Sequence, residues 1–317
     1  MAIKVEFIQG SINAYTNQRI TTLVLEYPRI IHSQLMTHRV FTRNSSSTRA
    51  IPIKTSVQQI KDNPAKYLWT YNKAGMSGMD VTDPKELIDI NNYWFFVMQA
   101  NIKFAEHMDS HYKLHKQHAG RVLEPFQNIR VCLTSTEWAN WEHLRLDADA
   151  QPEIQALAKL VKEVMDKNQD NYQYLEEGEY HVPFIKRVFN EVDSKYYYLH
   201  PETHEELDLQ EAINLSVSIC AQTSYRKEDC SPEKTSKVID MLFKGNKLHA
   251  SPLEHIATPV PKAMNHSDKP LFYWPKGITH MDRNGKYWSG NFKEFIQYRQ
   301  LIPNHDGAKL TPHPHQD

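Results

Sequence analysis

The chain has 317 residues, with 37 Lys and Arg against 38 Asp and Glu, a formal net charge of −1 and an isoelectric point near 7.0. That balance argues against a general nucleic-acid or membrane-surface binder; no apolar run approaches the roughly 18 residues of a membrane span, and the N-terminus has no signal-peptide pattern. The expectation is a soluble, cytoplasmic protein of one large domain or two ordinary ones, whose Cys132, Cys220 and Cys230 are too scattered for a disulfide framework or a zinc site.

Arg19 to Glu26 is β-branched and apolar and predicts a strand. Pro28 suits the first turn of a helix whose apolar side is Ile31, Leu35 and Met36. On that helix Gln34 and His38, four apart, share a face, with Arg39 and Phe41 close by. From Tyr27 to Lys61 there is no Asp or Glu, while Arg29, Arg39, Arg43, Arg49, Lys54 and Lys61 concentrate positive charge. Thr42, Asn44, Ser45, Ser46, Ser47 and Thr48 set short donors among those arginines, a mixture that suits a phosphate or carboxylate. The serine run is expected to break the helix, because Ser and Thr compete for backbone hydrogen bonds. The plain alternative is a solvated helix end and a polar loop.

Ser56 to Met79 reads as a helix followed by a loop punctuated by Asn63-Pro64 and by Gly75 to Gly78. Asp83-Pro84 then opens a long helix to about Ala119, with Leu87, Tyr93, Phe96, Val97, Ile102 and Phe104 as its apolar positions. His107, His111, His115 and His118 fall on one face of its tail, a spacing that could ligate a metal. With Lys113 and Lys116 between them and only Asp109 beside them, a solvated basic face is preferred and no metal is expected.

A second chemical stretch holds Arg121-Val-Leu-Glu-Pro125, Asn128-Ile-Arg130 and the run Asn140 to Gln155, from which Gln151 opens an amphipathic helix through Ile154, Leu157, Val161 and Met165. Read by spacing alone, Arg145 is a surface partner of Asp149. Residues 168–208, with three tyrosines at 196–198, read as irregular. Asn214 to Tyr225 is a helix leading to a turn. Ser231 caps a further helix through Phe243, with Gly245 as its stop. His249-Ala-Ser-Pro-Leu-Glu-His255 follows, and Asn291 to Gln300 reads as a packed basic-aromatic helix, the alternative being that its Gln297-Tyr298-Arg299 faces a ligand. The apolar or acidic neighbours of the three cysteines would raise a thiol pKa.

Thr37-His38-Arg39, seven residues and then Ser47, with Asn44 three before that serine and Arg49 two after it, resembles the signature of flavin-dependent thymidylate synthases: Arg-His-Arg, seven residues, Ser. Gln34 matches the glutamine that precedes the motif; Thr37 replaces its first arginine and Ser45 a frequent glutamate. Asn140, Arg145, Asp147, Ala150, Gln151, Glu153, Ile154 and Gln155 match a later family helix pair, with His143 where Asn is usual. The 249–255 segment matches the family's His-x-Ser-Pro-Phe-Glu-His, with Leu253 for Phe. Since that segment normally precedes the Arg-His-Arg motif, the chain resembles a circularly permuted, phage-like member.

The resemblance implies an α+β fold with long helices around a small mixed sheet, permuted and with insertions. It implies one catalytic domain over 1–317, with core segments 1–60, 119–166 and 210–260, insertions at about 61–118 and 168–208, and an extension from about 261. It implies synthesis of dTMP from dUMP, with FAD as cofactor, methylenetetrahydrofolate as carbon donor and NADPH as reductant, in a homotetramer whose sites are shared between subunits. By the same resemblance His38, Arg39, Asn44, Asn140, His143, Ser251, Glu254 and His255 hold the flavin, and Gln34, Ser47, Arg49, Arg130 and Arg145 hold dUMP. No residue is expected to act as nucleophile. The alternatives are a dUMP hydroxymethylase using the same flavin and folate, and a non-catalytic flavin- or nucleotide-binding relative.

Overall fold

Two ten-residue strands, β1 (Lys4–Asn13) and β2 (Arg19–Pro28), pair as an antiparallel hairpin, and β2 extends the predicted strand by two residues. The computed structural model describes residues 3–74, 78–244, 248–262, 275–303 and 305. After β2 a 3-10 turn (Arg29–Ile31) leads into α1 (His32–Met36). Ile31 and Leu35 are buried as expected, but Met36 is exposed. The helix stops at Met36, so Gln34 and His38 do not share a helical face.

The serine run is not a loop throughout: Thr42–Ser45 is a strand, β3, paired with a later strand over Thr42↔Thr134 to Ser45↔Val131. Cross-strand backbone bonds win there over the local side-chain bonds that the serines offer.

Next come α2 (Ile53–Asp62) and a short hairpin of β4 (Thr70–Tyr71) and β5 (Met79–Asp80); Gly75 lies outside the described residues. The long helix α3 (Pro84–Ser110) starts at the expected place, where Asp83 accepts from the Lys85 N–H. It ends at Ser110, nine residues short of Ala119, because Lys113 turns into the left-handed region (φ 53°) and Leu114 packs back onto the α2–α3 core. The next helix, α4 (Lys116–Ala119), has His115 as its N-cap. The four histidines therefore do not share one helical face, although His107 and His111 stack with ring centroids 4.9 Å apart. Along α3, Met98, Ile102 and Ala105 are buried, whereas Tyr93, Phe96 and Phe104, expected on its apolar side, are exposed.

A 3-10 segment (Gly120–Phe126) precedes β6 (Asn128–Ser135), followed by α5 (Ala139–Arg145) and α6 (Pro152–Lys167). The stretch 168–208 is ordered into β7 (Tyr172–Leu175), β8 (Lys186–Asn190), β9 (Lys195–Leu199) and β10 (Glu206–Leu207). Its tyrosine run is thus a strand, as alternating aromatic side chains favour once a partner strand is present. Helix α7 (Leu209–Thr223) carries a reciprocal capping box between Asp208 and Glu211, and Ser231 caps α8 (Pro232–Leu242) by accepting from the Lys234 N–H. The predicted stop at Gly245 lies outside the described residues.

The Ser251–His255 segment is a 3-10 turn leading to β11 (Ala257–Pro259). Asn291–Gln300 is not a helix: after β12 (His280–Met281) and β13 (Tyr287–Ser289) it forms β14 (Phe292–Lys293), β15 (Phe295–Gln297) and the start of a 3-10 turn (Tyr298–Leu301). Glu294, in the left-handed region at φ 56°, breaks the strand and lets Phe292 and Phe295 both reach a core with Ile20, Leu175 and Ala257.

The main sheet runs β3-β6-β2-β1-β7, antiparallel except for the parallel β1–β7 edge. With the smaller sheets and eight α-helices among the described residues, the architecture is mixed α+β. No described helix is long and apolar enough to cross a membrane. One sheet face, Leu23, Leu25, Tyr27, Ile129, Val131 and Leu133, packs on Trp141 of α5 and on Ile154, Leu157, Ala158 and Val161 of α6. Leu157 is fully buried there. Leu157→Ala is expected to cost about 2–5 kcal/mol in urea unfolding, and exposed Lys159→Ala no more than about 0.5 kcal/mol.

Candidate active site

The C-terminus of α1 leaves carbonyl groups open, and an arginine from β3 closes them. Arg43 Nη1 donates to the carbonyl oxygens of Leu35 (3.2 Å), Met36 (3.3 Å) and His38 (2.9 Å). His38 is thereby held in the core, its ring stacked on Phe41 and edge-on to Trp141, with centroids 5.5 and 5.0 Å away. Arg145, the last residue of α5, donates through Nε to His38 Nε2 (3.1 Å) and through Nη2 to the Gln34 carbonyl (3.4 Å) and Thr37 Oγ1 (3.3 Å). Since a guanidinium only donates, His38 Nε2 must carry a lone pair, which puts the ring proton on Nδ1. Burial, then the neighbouring Arg145, hold the His38 pKa below its usual value; a hydrogen bond with Asn140 acts the other way.

Gln34 extends this cluster. Its side chain donates to Gln151, which donates to buried Glu153 (2.9 Å), and Glu153 also accepts from the Leu68 N–H (2.9 Å). Thr37 donates to the Gln34 carbonyl (2.7 Å). At the position where the resembled motif has an arginine, the threonine receives Arg145 instead.

A second set joins the 249–255 segment to β3. Asn44 donates to the Cys220 carbonyl (2.7 Å) and accepts from Ser251 (3.2 Å), whose hydroxyl also lies 3.1 Å from the Arg43 carbonyl. Glu254 is paired with Arg299, and its carbonyl accepts from Gln297 (3.0 Å). His255 is fully buried, with Nδ1 2.8 Å from Thr134 Oγ1 and 3.7 Å from Cys132 Sγ.

Other expected residues are not brought together within one chain. Arg39, Ser47, Arg49 and His143 are exposed, as is Asn140 despite its bond to His38. Arg130 is ion-paired with Glu228 (3.0 Å) and Glu6 (3.8 Å), apart from Arg145. Arg145 itself turns toward His38, Gln34 and Thr37, not toward solvent as a simple surface partner would.

Beside α1 is a cleft of about 620 Å³ lined by Arg29, His32, Ser33, Met36, Arg121 and Glu124, among others. Glu124 lies 3.6 Å from Arg29 and 2.8 Å from Arg121, so two cations share one carboxylate. His32, bonded to the Tyr27 hydroxyl at 2.8 Å, is pushed down to about 4 by burial and by Arg29 and Arg43. These cleft residues were missed as site residues, whereas Gln297 and Arg299 belong to the Gln-Tyr-Arg run for which the sequence favours a packed helix over a ligand-facing role. The acid-free stretch did contain Arg29, but nothing local marks which of its arginines line a cavity.

The thiols differ from the sequence expectation at one position. Burial raises Cys230 to about 11 and Cys220 well above the ordinary range. Burial also works to raise Cys132, but a hydrogen bond from Cys220 and the neighbouring His255 outweigh it and bring it down. Neither partner is adjacent in sequence, so the apolar neighbours of Cys132 gave no sign of them. All three thiols are buried. Among the described residues no group of three or more His, Cys, Asp or Glu is placed to hold a metal.

No protein-family model matches the chain, and no curated protein matches it. Among solved structures, a UMP/dUMP methylase, PolB, from Streptomyces cacaoi, crystallised with 5-Br UMP, is similar over 54% of this chain and 90% of its own. The identity is 14% and the TM-score 0.43. A likeness of that size assigns neither family nor reaction.

The buried histidines set a pH dependence. His32, His38 and His181 (the last driven to about 3 by burial and by His255) all sit below the unfolded value of about 6.5. The unfolded chain then binds more protons than the native one, so stability is full above that value and falls with falling pH. Urea midpoints should drop steadily from pH 7 to 5. Arg145→Gln should raise the His38 pKa in an NMR titration, since it removes a lowering charge.

Proposed function

We propose that this protein makes dTMP from dUMP, as a flavin-dependent thymidylate synthase-like enzyme with a permuted chain. The observation that carries the reading is convergence: the motif stretches around 34–49, 140–155 and 251–255, far apart in sequence, meet through Arg145 on Gln34, Thr37 and His38 and through Ser251 on Asn44. A merely accidental motif match would have no reason to bring its parts into contact.

Transfer of a one-carbon unit from methylenetetrahydrofolate to C5 of uracil releases the C5 proton, and a hydride completes the methyl group. Bound reduced flavin would supply that hydride, with NADPH as the source of electrons. In part the residues fit a flavin: Arg39 and Asn140 are exposed donors beside His38, whereas Asn44, Ser251 and Glu254 are engaged within the chain. His255 keeps a buried ring nitrogen without a partner among the described residues. Arg39, Asn140 and His255 are therefore the residues that would hold the cofactor, with His38, itself taken up by Arg145, positioning Asn140.

For the nucleotide, Arg145 and Gln34 offer donors to the carbonyl oxygens of a pyrimidine. The cleft beside α1, with Arg29 and Arg121 against a single Glu124, is net positive and suits a phosphate. Ser47 and Arg49 are exposed, so in a homotetramer they are available to complete the site of a neighbouring copy. Thiol attack on C6 is not part of the mechanism, because Cys132, Cys220 and Cys230 are all buried.

The test is mass spectrometry of the nucleotide formed from dUMP, methylenetetrahydrofolate, NADPH and FAD. A methyl in place of the C5 hydrogen is expected; a hydroxymethyl would assign the hydroxymethylase reaction, and unchanged dUMP would overturn the enzyme reading. In titration calorimetry Arg145→Ala should weaken dUMP binding roughly tenfold to 150-fold, the loss of a charge-assisted bond of about 1.5–3 kcal/mol. Arg130→Ala, whose guanidinium is held by Glu228 and Glu6, should leave dUMP affinity near that of the unaltered protein.

A further inference from the structure

Two fully buried histidines are joined by hydroxyl groups across the main sheet. Ser11 Oγ lies 2.9 Å from His181 Nδ1, and His181 Nε2 lies 2.8 Å from Thr22 Oγ1. Thr22 Oγ1 is 2.7 Å from Thr134 Oγ1, which is 2.8 Å from His255 Nδ1. None of the five residues is more than 1% exposed. Thr22 and Thr134 are direct cross-strand partners on β2 and β6. The His181 backbone exchanges both its hydrogen bonds with Ala257, two residues past His255.

Counting protons gives this line a direction. Each hydroxyl has one proton and each neutral imidazole one N–H. Unless all point the same way, two protons or two lone pairs face each other at some link. If they point away from Ser11, it donates to His181 Nδ1, His181 Nε2–H to Thr22, Thr22 to Thr134, and Thr134 to His255 Nδ1. Every hydroxyl proton is then used. Cys132 Sγ, 3.7 Å from the same His255 Nδ1, can add only a weak S–H donor to that lone pair. The single loose group is the His255 Nε2–H, which has no partner among the described residues. If they point the other way, both the Ser11 proton and the His255 Nε2 lone pair are left over. Each buried polar group without a partner is costly, so the first direction is preferred.

We infer that Ser11, His181, Thr22 and Thr134 are positioning residues that hold His255 in its Nε2–H form. His255 then offers a donor, not a lone pair, to an acceptor atom such as a carbonyl oxygen or an unprotonated ring nitrogen of a bound heterocycle. Only the identity of that acceptor rests on the proposed reaction; the tautomer belongs to the chain itself. Burial, which lowers the His181 pKa, keeps its ring neutral and the line intact at neutral pH.

The experiment is long-range ¹H–¹⁵N NMR of histidine-labelled protein at pH 7.5 without ligand, with His181→Asn and His255→Asn for assignment. Both rings should show a protonated Nε2 and an unprotonated Nδ1. Ser11→Ala removes the terminal proton, so both directions leave two loose groups and both rings should lose their single tautomer. If Ser11→Ala does not fold, Thr134→Val takes away the donor to His255 Nδ1 and His255 should lose its single tautomer, whereas Thr134→Ser, which keeps the hydroxyl, should retain it. An Nδ1–H His255 in the unaltered protein, or a His255 indifferent to these changes, overturns the inference. The expected tautomers with no response of the His255 signals to FAD would overturn the proposed ligand and leave the positioning role standing.

Discussion

Strand β6 has to serve two faces at once, and the rest of the molecule follows from that. It is paired on both sides, with β2 and with β3, so its register is fixed along its length. Because successive side chains alternate across a sheet, Ile129, Val131 and Leu133 enter the apolar core under α5 and α6. Cys132 and Thr134 are thereby committed to the opposite face, against His255. A slip of one residue would exchange the two sets, burying hydroxyls in the apolar core.

The same pairing reaches the candidate site. Because β3 is locked to β6, Arg43 stands where the carbonyl groups at the end of α1 can be closed, and His38 is fixed as a consequence. Arg145 then approaches a histidine that presents a lone pair, a contact that a protonated His38 would repel. Burial and neighbouring arginines keep His32 and His38 neutral, so their rings act as hydrogen-bonding groups of defined polarity. Of the arginines in the basic stretch, Arg43 is spent on carbonyl groups, whereas Arg29 lines the cleft, where Arg121 from the later 3-10 segment joins it across Glu124.

Much of this was legible in the residues. The strand at Arg19–Glu26, the starts of α3, α6 and α8 and the body of α7 from Asn214 follow from apolar period, proline and capping side chains, which act within a few residues. Helix α7 nevertheless begins earlier, at Leu209, behind the Asp208–Glu211 capping box. Other elements misled because their partners are remote. The serine-rich Thr42–Ser45 is a strand only because β6 lies beside it, and the run at 196–198 only because β8 and β10 do. Asn291–Gln300 has the composition of a helix, yet Glu294 turns into the left-handed region so that Phe292 and Phe295 can fill one core. The histidine tail of α3 has helical spacing, but the chain leaves the helix at Ser110 and turns at Lys113 to pack a partly buried Leu114 on the α2–α3 core.

By itself the sequence determined where charge, hydroxyls and motif residues are concentrated, since composition and short spacing are properties of the chain alone. It marked Gln34, His38, Asn44, Arg145, Ser251 and His255 as a set, though not which of them touch. Tertiary structure decided that Arg145 meets His38 and Thr37, that Arg130 is taken up by Glu228 and Glu6, and that Cys132 lies beside His255. It also decided which histidine nitrogens carry lone pairs. Those outcomes depend on contacts between residues up to about 170 apart, and strand pairing and burial, not local propensity, bring such residues within hydrogen-bonding distance.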